Sequence, residues 1–144
     1  MDQLQALADR VEIDALRGEF TDAAMMNDHD RFVSLFEPDG AVRIPAGNVD
    51  AVGHDGIRAL AEQREVIMDV FVQTTHPGVI EVDGDTATGR AYMSELIRLR
   101  DGGSHLNYAI YHDKYAHTPD GWKFKERVFE IRYLDSTPLA GGAA

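Results

Sequence analysis

One arginine in the second half of this sequence interrupts an apolar strand pattern and is of a type that can do chemistry. Arg127 alternates with Phe129, Ile131 and Tyr133, a period of two that is typical of β-strands. A guanidinium in that register is costly to bury unless it contacts a carboxylate or a ligand. Two interpretations stay open: a ligand-binding arginine in a cavity, and an internal ion pair or a head group that reaches the cavity mouth.

One histidine is placed in a similar way. His76 lies in the segment TTHPG and is in phase with Ile80 and Val82. An imidazole with a near-neutral pKa that faces a cavity is suited to act as a general base. Pro77 prevents normal ladder pairing and indicates a bulge or a strand start at this point. A structural histidine with satisfied hydrogen bonds is the alternative to the catalytic role.

Two carboxylates also interrupt apolar patterns. Asp22 lies between Gly18 and Met25 on one stripe of the first predicted helix. There it either orients a histidine, as the third member of a catalytic triad does, or is an exposed acid at the edge of the stripe. Glu95 alternates with apolar residues of a later strand, where it either pairs with Arg127 or stands at the rim of a subunit interface.

Composition excludes several classes of function. The 144 residues include 14 Lys plus Arg and 25 Asp plus Glu, a formal net charge of −11 that repels nucleic acids and anionic membranes. There is no cysteine, no HxH or HExxH spacing and no nucleotide-binding fingerprint, so we expect neither a metal nor a cofactor. The N-terminus lacks the regions of a signal peptide, which favours a cytoplasmic location.

The first half of the chain is predicted to supply helices. Spacings of three and four indicate a first helix that ends near Asn27 and is apolar on two sides. Asp30 is predicted to cap a short second helix that Pro38 closes, and a third helix follows Gly53. The two stripes of the first helix are Leu4, Leu7, Val11, Ala15, Gly18, Asp22 and Met25, and nearly opposite them Ile13, Leu16, Phe20 and Ala24.

The second half is predicted to supply strands. Two short ones, GAVRIP and VDAVG, precede the third helix, and from residue 71 the period changes to two. Four long strands follow, separated by hairpin signals at 83–84, 101–103 and 119–121. This order predicts an α+β fold with helices on one face of a curled sheet and a pocket between the layers. We expect one domain over residues 1–136 and a short tail at 137–144.

The sequence resembles the SnoaL-like branch of the nuclear transport factor 2-like superfamily over essentially its whole length. LADRVEIDALRGEFTDAAMMNDHDRFVSLFEPDGAV is similar to the opening helices, VGHDGIRAL to the entry of the third helix, and DGWKFKERVFEI to the terminal strand. The resemblance implies a cone-shaped, mostly antiparallel mixed sheet wrapped around three helices, and a homodimer or homotrimer. It specifies fold more narrowly than chemistry, because such folds host unrelated functions.

Within that branch the chain resembles hexachlorocyclohexane dehydrochlorinase, and more broadly scytalone dehydratase and bile-acid dehydratase. Those enzymes use a pocket histidine as general base, usually oriented by an aspartate of the first helix. TTHPG places His76 at the histidine position, and WKFKER places Arg127 at the position of an arginine that contributes in the dehydrochlorinase.

The first helix departs from that pattern. Met25 stands at the position of the family's aspartate, and Phe20 at the position of a lysine in the dehydrochlorinase. A thioether cannot orient an imidazole. Either Asp22, one turn earlier, or Asp28, at an unwound helix end, takes this role, or else His76 acts without an orienting carboxylate, the chemistry differs, or catalysis has been lost.

The prediction is a cofactor-independent lyase that acts on an apolar cyclic small molecule. His76 abstracts a proton, Asp22 orients it, and Arg127 stabilises developing negative charge. An isomerase or polyketide cyclase uses the same apparatus, and a non-catalytic binder of hydrophobic ligands is the alternative that Met25 favours. The residues expected to contact substrate are Met25, Phe20, Tyr92, Glu95, Tyr111, Phe129 and Ile131.

Overall fold

The computed structural model describes residues 2–144, which form three α-helices and six β-strands. The helices α1, α2 and α3 span Gln3–Met25, His29–Ser34 and Gly53–Ile67. The strands β1 to β6 span Phe36–Ile44, Val49–Val52, Met68–Asp83, Thr86–Leu99, Ser104–Thr118 and Gly121–Asp135. Within the described residues, no helix is long and apolar enough to cross a membrane.

The strands form one mixed, open sheet in the order β2-β1-β6-β5-β4-β3. The pair of β1 and β6 is parallel and the other pairs are antiparallel. An aromatic and aliphatic core lies between this sheet and the helices. The predicted cone-like α+β fold is therefore confirmed, and the three hairpin signals fall at the β3–β4, β4–β5 and β5–β6 turns.

Only one of the two predicted stripes of α1 packs against the sheet. Ile13, Leu16 and Phe20 are buried in the core, as the second stripe predicts. The prediction that the first stripe also packs is wrong, since Leu4 and Val11 are 75% and 61% exposed. The reason is that no element of residues 2–144 covers that side of the helix, so α1 rests on the sheet and is not sandwiched.

The ends of the second helix also differ from the prediction. Asp28 caps α2, because its carboxylate accepts a hydrogen bond from the backbone N–H of Arg31 at 3.3 Å, and Asp30 lies inside the helix. Pro38 does not close α2, which ends at Ser34. It lies in β1, at an irregular stretch of the pairing with β6 where a missing N–H is tolerated.

A bulge in β3 reverses which side chains face the helices. His76 pairs with Tyr92, but the next pair is Val79 with Arg90, so β3 carries one residue more than β4 over this stretch. One extra residue moves every following side chain to the other face of the sheet. Consequently Ile80 faces the core, whereas His76, on the other side of the bulge, faces outward.

Two further bulges divide β6. Lys125 and Arg132 are extra residues relative to β5. At each of them the side chains that point inward switch between even-numbered and odd-numbered positions. Phe124 is buried before the first bulge, and Arg127 and Phe129 are buried between the two. Beyond the second bulge Tyr133 turns outward, which corrects the prediction that it shares a face with Arg127. The segment of β6 that faces the interior is therefore short.

The β3 bulge depends on a glycine. A Cβ on Gly78 would lie 1.8 Å from the carbonyl oxygen of Arg90, so Gly78→Ala is expected to force the strands apart and destabilise the protein by about 1–3 kcal/mol. The control is Gly18→Ala in α1, where nothing lies within 4 Å of the new Cβ. That change is expected to stabilise by about 0.5–1 kcal/mol. Urea unfolding measures both, and equal effects would contradict the bulge.

Candidate functional site

The helices and the sheet enclose a cavity of about 160 Å³ inside the cone. An apolar cavity of roughly 150 Å³ holds one benzene molecule, so this space fits a single ring. Most of its wall is apolar and includes Phe20, Phe129 and Ile131, three of the residues predicted to contact substrate. Five polar side chains interrupt that wall: Arg64 from α3, Gln73 from β3, Glu95 from β4, and Asn107 and Tyr111 from β5.

Glu95 is the acidic group of this cavity. Its side chain is only 8% exposed, and it accepts hydrogen bonds from Gln73 Nε2 at 2.7 Å and Asn107 Nδ2 at 3.3 Å. Burial raises the pKa of the Glu95 carboxyl above its ordinary value, although the two amides and the charge of Arg64 oppose the shift. A buried carboxyl with a raised pKa is a stronger base than one in water, and such groups can both accept and return a proton.

The amide partners of Glu95 differ in how firmly they are held. The Thr21 hydroxyl donates to Gln73 Oε1 at 2.8 Å, so the amide nitrogen of Gln73 is directed towards Glu95. Asn107 Oδ1 is buried and has no hydrogen-bond partner among residues 2–144. A half-turn of the Asn107 amide would present this oxygen to a protonated Glu95. The cluster therefore accommodates both charge states of the carboxyl.

Arg64 lies where this cavity meets a larger one. Its guanidinium is 5.1 Å from the ring centre of Phe32 and 4.9 Å from that of Phe71. Arg64 and Met68 line both the 160 Å³ cavity and a neighbouring cavity of about 660 Å³, whose wall also includes Met25. Burial lowers the pKa of Arg64, while Tyr111 and Glu95 oppose the shift.

Tyr111 supplies the hydroxyl of the inner cavity. It is buried, and burial raises its pKa well above the ordinary value, so the phenol keeps its proton at neutral pH. Its ring packs against Phe20 and Phe129, with centroid distances of 5.5 Å and 4.8 Å. The hydroxyl is therefore a positioned hydrogen-bond donor in an apolar wall.

Arg127 is fully buried but does not line either of these cavities. Its Nε and Nη2 donate to the two carboxylate oxygens of Asp113 at 2.7 Å and 3.0 Å. Burial lowers the pKa of Arg127, but the charge and hydrogen bonds of Asp113 outweigh it and raise the pKa overall. Of the two interpretations open for Arg127, the structure favours the internal ion pair.

Asp113 is a residue that the sequence analysis missed. It is directly opposite Arg127 in the pairing of β5 with β6, and it also accepts a hydrogen bond from the Tyr115 hydroxyl at 2.6 Å. That hydroxyl accepts in turn from Arg17 Nε at 2.8 Å. The available signal was its phase with Tyr111, which predicts an inward carboxylate.

The predicted histidine–aspartate pair does not form. His76 is exposed on the outer face, and its Nε2 lies 3.3 Å from the hydroxyls of Thr74 and Ser94. The prediction that His76 faces the pocket is wrong because the bulge follows it, and Thr75 takes the inward position. Asp22 is also exposed, with its carboxylate in an ion pair with Arg31.

The other candidates of the first helix and the sheet are placed as follows. Asp28, the second candidate for orienting a histidine, is exposed and binds Arg31 Nε at 3.2 Å. Tyr92 lies on the outer face opposite His76, so the prediction that it contacts substrate in the cone is wrong. Met25 lines the larger cavity but not the inner one.

The raised pKa of Glu95 has a consequence for stability. The folded state keeps the Glu95 proton to higher pH than the unfolded chain, so this group's contribution to folding falls as pH rises above about 4.5. Glu95→Gln removes that loss, and the variant is expected to gain unfolding free energy relative to wild type at pH 8 but not at pH 4.5. Chemical denaturation at both pH values measures the difference.

A surface glutamate provides a control of opposite sign. The hydrogen bond from His112 lowers the pKa of Glu130, so this group stabilises the fold above the unfolded pKa. Compared with wild type, Glu130→Gln is expected to have a lower unfolding free energy at pH 8 but not at pH 4.5. Parallel pH profiles for the two variants would contradict the assignment of Glu95 as a destabilised buried carboxylate.

The chain belongs to the SnoaL-like domain family, which matches residues 5–128. Among solved structures it is similar to LinA, with 26% sequence identity, a TM-score of 0.87 and coverage of 100% of this chain and 99% of LinA. No curated protein sequence matches the chain.

Two further solved structures share the fold. The hexachlorocyclohexane dehydrochlorinase LinA-type3 from Novosphingobium barchaimii is 23% identical, with a TM-score of 0.86 and coverage of 99% of each chain. A protein from Novosphingobium aromaticivorans provisionally named scytalone dehydratase is 19% identical, with a TM-score of 0.82 and coverage of 95% of this chain and 93% of its own. The predicted SnoaL-like, nuclear transport factor 2-like assignment is confirmed.

Proposed function

We propose that this protein is a lyase or isomerase that transfers a proton on a small, mostly apolar ring, with Glu95 as the proton-transferring group. The observation that carries the proposal is a buried carboxyl with a raised pKa in the wall of a cavity of single-ring size. The family and the named activities of two similar structures support the reaction class. Glu95 replaces His76 in the role of base.

In the forward step, the Glu95 carboxylate takes a proton from a ring carbon that lies beside a leaving group or a carbonyl. The electron pair of the broken C–H bond forms a C=C bond, and either the leaving group departs with its electrons or an enolate forms. The Tyr111 hydroxyl then donates a hydrogen bond to the departing group or to the enolate oxygen. Gln73 and Asn107 hold the carboxylate in place.

The second half of the reaction separates the two chemistries. In a lyase, Glu95 releases the proton to water after the product leaves. In an isomerase or cyclase, the same carboxyl returns the proton at another atom of the ring system, which requires no additional group. The raised pKa suits both, because a desolvated carboxylate is a stronger base than one in water.

The test uses two ring probes of different size: cyclohexanone, which fits the inner cavity, and hexachlorocyclohexane, whose chlorine atoms also need space in the neighbouring cavity. Chloride release from hexachlorocyclohexane reports elimination, and deuterium uptake beside the carbonyl of cyclohexanone in D₂O reports enolisation. We expect wild type to accelerate at least one reaction, His76→Gln to keep that rate, and Glu95→Gln to lose it. An active Glu95→Gln, or a loss in His76→Gln alone, would overturn the assignment of the base.

A non-catalytic binder of hydrophobic ligands is the second candidate. The favouring observation is that the outward His76 and the methionine at position 25 remove the family's histidine–aspartate pair from the interior. Under this hypothesis, cyclohexanone binds the folded protein, yet neither probe reacts faster than in buffer. Turnover of either probe would exclude this candidate.

A further inference from the structure

The side chain of Arg64 has donors that nothing in the described chain uses. Its Nε and Nη2 are buried and have no hydrogen-bond partner among residues 2–144. Burying guanidinium donors without partners is costly, and buried arginines are normally paired with carboxylates or phosphates. The fold tolerates this cost at a position that lines two cavities.

Arg127 shows what the same atoms do when they are satisfied. Its Nε and Nη2 bind the two oxygens of Asp113 side by side, at 2.7 Å and 3.0 Å. This edge of a guanidinium matches the geometry of a carboxylate. In Arg64 the equivalent edge is the unpartnered one, and because it has almost no exposed surface, a carboxylate reaches it only when the side chain turns beside the flanking rings of Phe32 and Phe71.

The charges around the larger cavity also favour an anion. Arg64 shares that wall with two further arginines and two acids, Arg98, Arg100, Glu65 and Asp69. Glu65 lies 3.2 Å from His29, and Asp69 lies 3.9 Å from Arg100, so neither acid pairs with Arg64. Three cations therefore face two anions in a protein whose overall formal charge is −11.

We propose that Arg64 anchors a carboxylate of the ligand, and that the site takes small ring carboxylates with the ring in the inner cavity. A single ring fits the space of about 160 Å³, and larger substituents extend into the neighbouring 660 Å³. This arrangement places the ring in the chamber that Glu95 lines. The inference rests on the proposed function in one respect, that the ligand binds inside the cone. It does not require that the protein catalyses a reaction.

The experiment compares benzoate with its neutral isostere benzamide by isothermal titration calorimetry. We expect wild type to bind benzoate at least tenfold more tightly than benzamide. Arg64→Met is expected to abolish this preference and to leave benzamide affinity within about twofold of wild type, because the apolar stem still packs between the rings. Thermal unfolding checks that the variant folds, and loss of an unpartnered buried charge is not expected to lower its melting temperature.

Two controls separate the outcomes. Arg100→Met removes a more exposed arginine of the same larger cavity and is expected to keep the preference for benzoate. Glu95→Gln is expected to bind benzoate at least as well as wild type, because it removes a negative charge without touching Arg64. Equal binding of benzoate and benzamide, or an undiminished preference in Arg64→Met, would overturn the inference and leave the proton-transfer proposal standing. Loss of turnover in Glu95→Gln with intact benzoate binding would support the proposed function and would leave the inference about Arg64 unaffected.

Discussion

Replacing Asp113 by asparagine is expected to lower the free energy of unfolding by about 3–5 kcal/mol, because it leaves a buried guanidinium without its counter-charge. Arg127 has no exposed surface, and both of the hydrogen bonds that it donates go to Asp113. The rings of Phe20, Tyr111 and Phe124 surround the guanidinium at 3.9–4.4 Å and exclude water that could replace the carboxylate. Chemical denaturation at pH 7 measures the loss.

Two comparisons make that result specific. Asp50→Asn removes an exposed partner of Arg43 and is expected to cost no more than about 1 kcal/mol. The double variant Asp113→Asn, Arg127→Met removes the nearer of the two buried guanidinium groups beside Asp113, since Arg17 Nε lies 3.9 Å from the same carboxylate, and is expected to be more stable than Asp113→Asn alone. An Asp113→Asn protein as stable as Asp50→Asn, or a double variant that is less stable than the single one, would contradict a buried ion pair.

Glu95→Gln is expected to reduce kcat by about 10²–10⁴ on whichever probe wild type turns over, the range that general acid–base groups contribute. The carboxylate form is the base, and burial raises its pKa, so wild-type kcat/KM is expected to rise with pH through that raised pKa and then level off. Steady-state rates between pH 4 and pH 9 measure both effects.

Asn107 provides a diagnostic variant for the same group. Its Nδ2 donates to Glu95 Oε1, and this hydrogen bond lowers the pKa of the carboxyl. Asn107→Ala is therefore expected to move the rising limb of the pH–rate profile to higher pH while activity persists above it. An unshifted profile, or a Glu95→Gln rate within threefold of wild type, would show that another group moves the proton.

The order of elements and the fold follow from local signals along the chain. The change from a period of three and four to a period of two, and the Asp-Gly and Pro-Asp-Gly turns, each depend on neighbouring residues and were predicted correctly. The inward direction of Arg127 was also predicted, because it lies on the same unbroken segment as Phe129.

The direction of His76 could not be derived in the same way. A period of two predicts the face of a residue only until an extra residue enters the strand. TTHPG indicates a bulge, but it does not indicate whether the extra residue lies before or after His76. The pairing of Val79 with Arg90 on β4 decides that question, so the outward imidazole is a property of two strands together.

The sequence by itself determined the order of the helices and strands, the hairpin turns and the family of this protein, because each depends on residues close together in the chain. The tertiary structure alone decided which polar groups share the cavity. Glu95 meets Gln73 and Asn107 through the pairing of three strands, and Arg64 reaches the same space from a helix. Such contacts join residues far apart in sequence, so no local pattern encodes them.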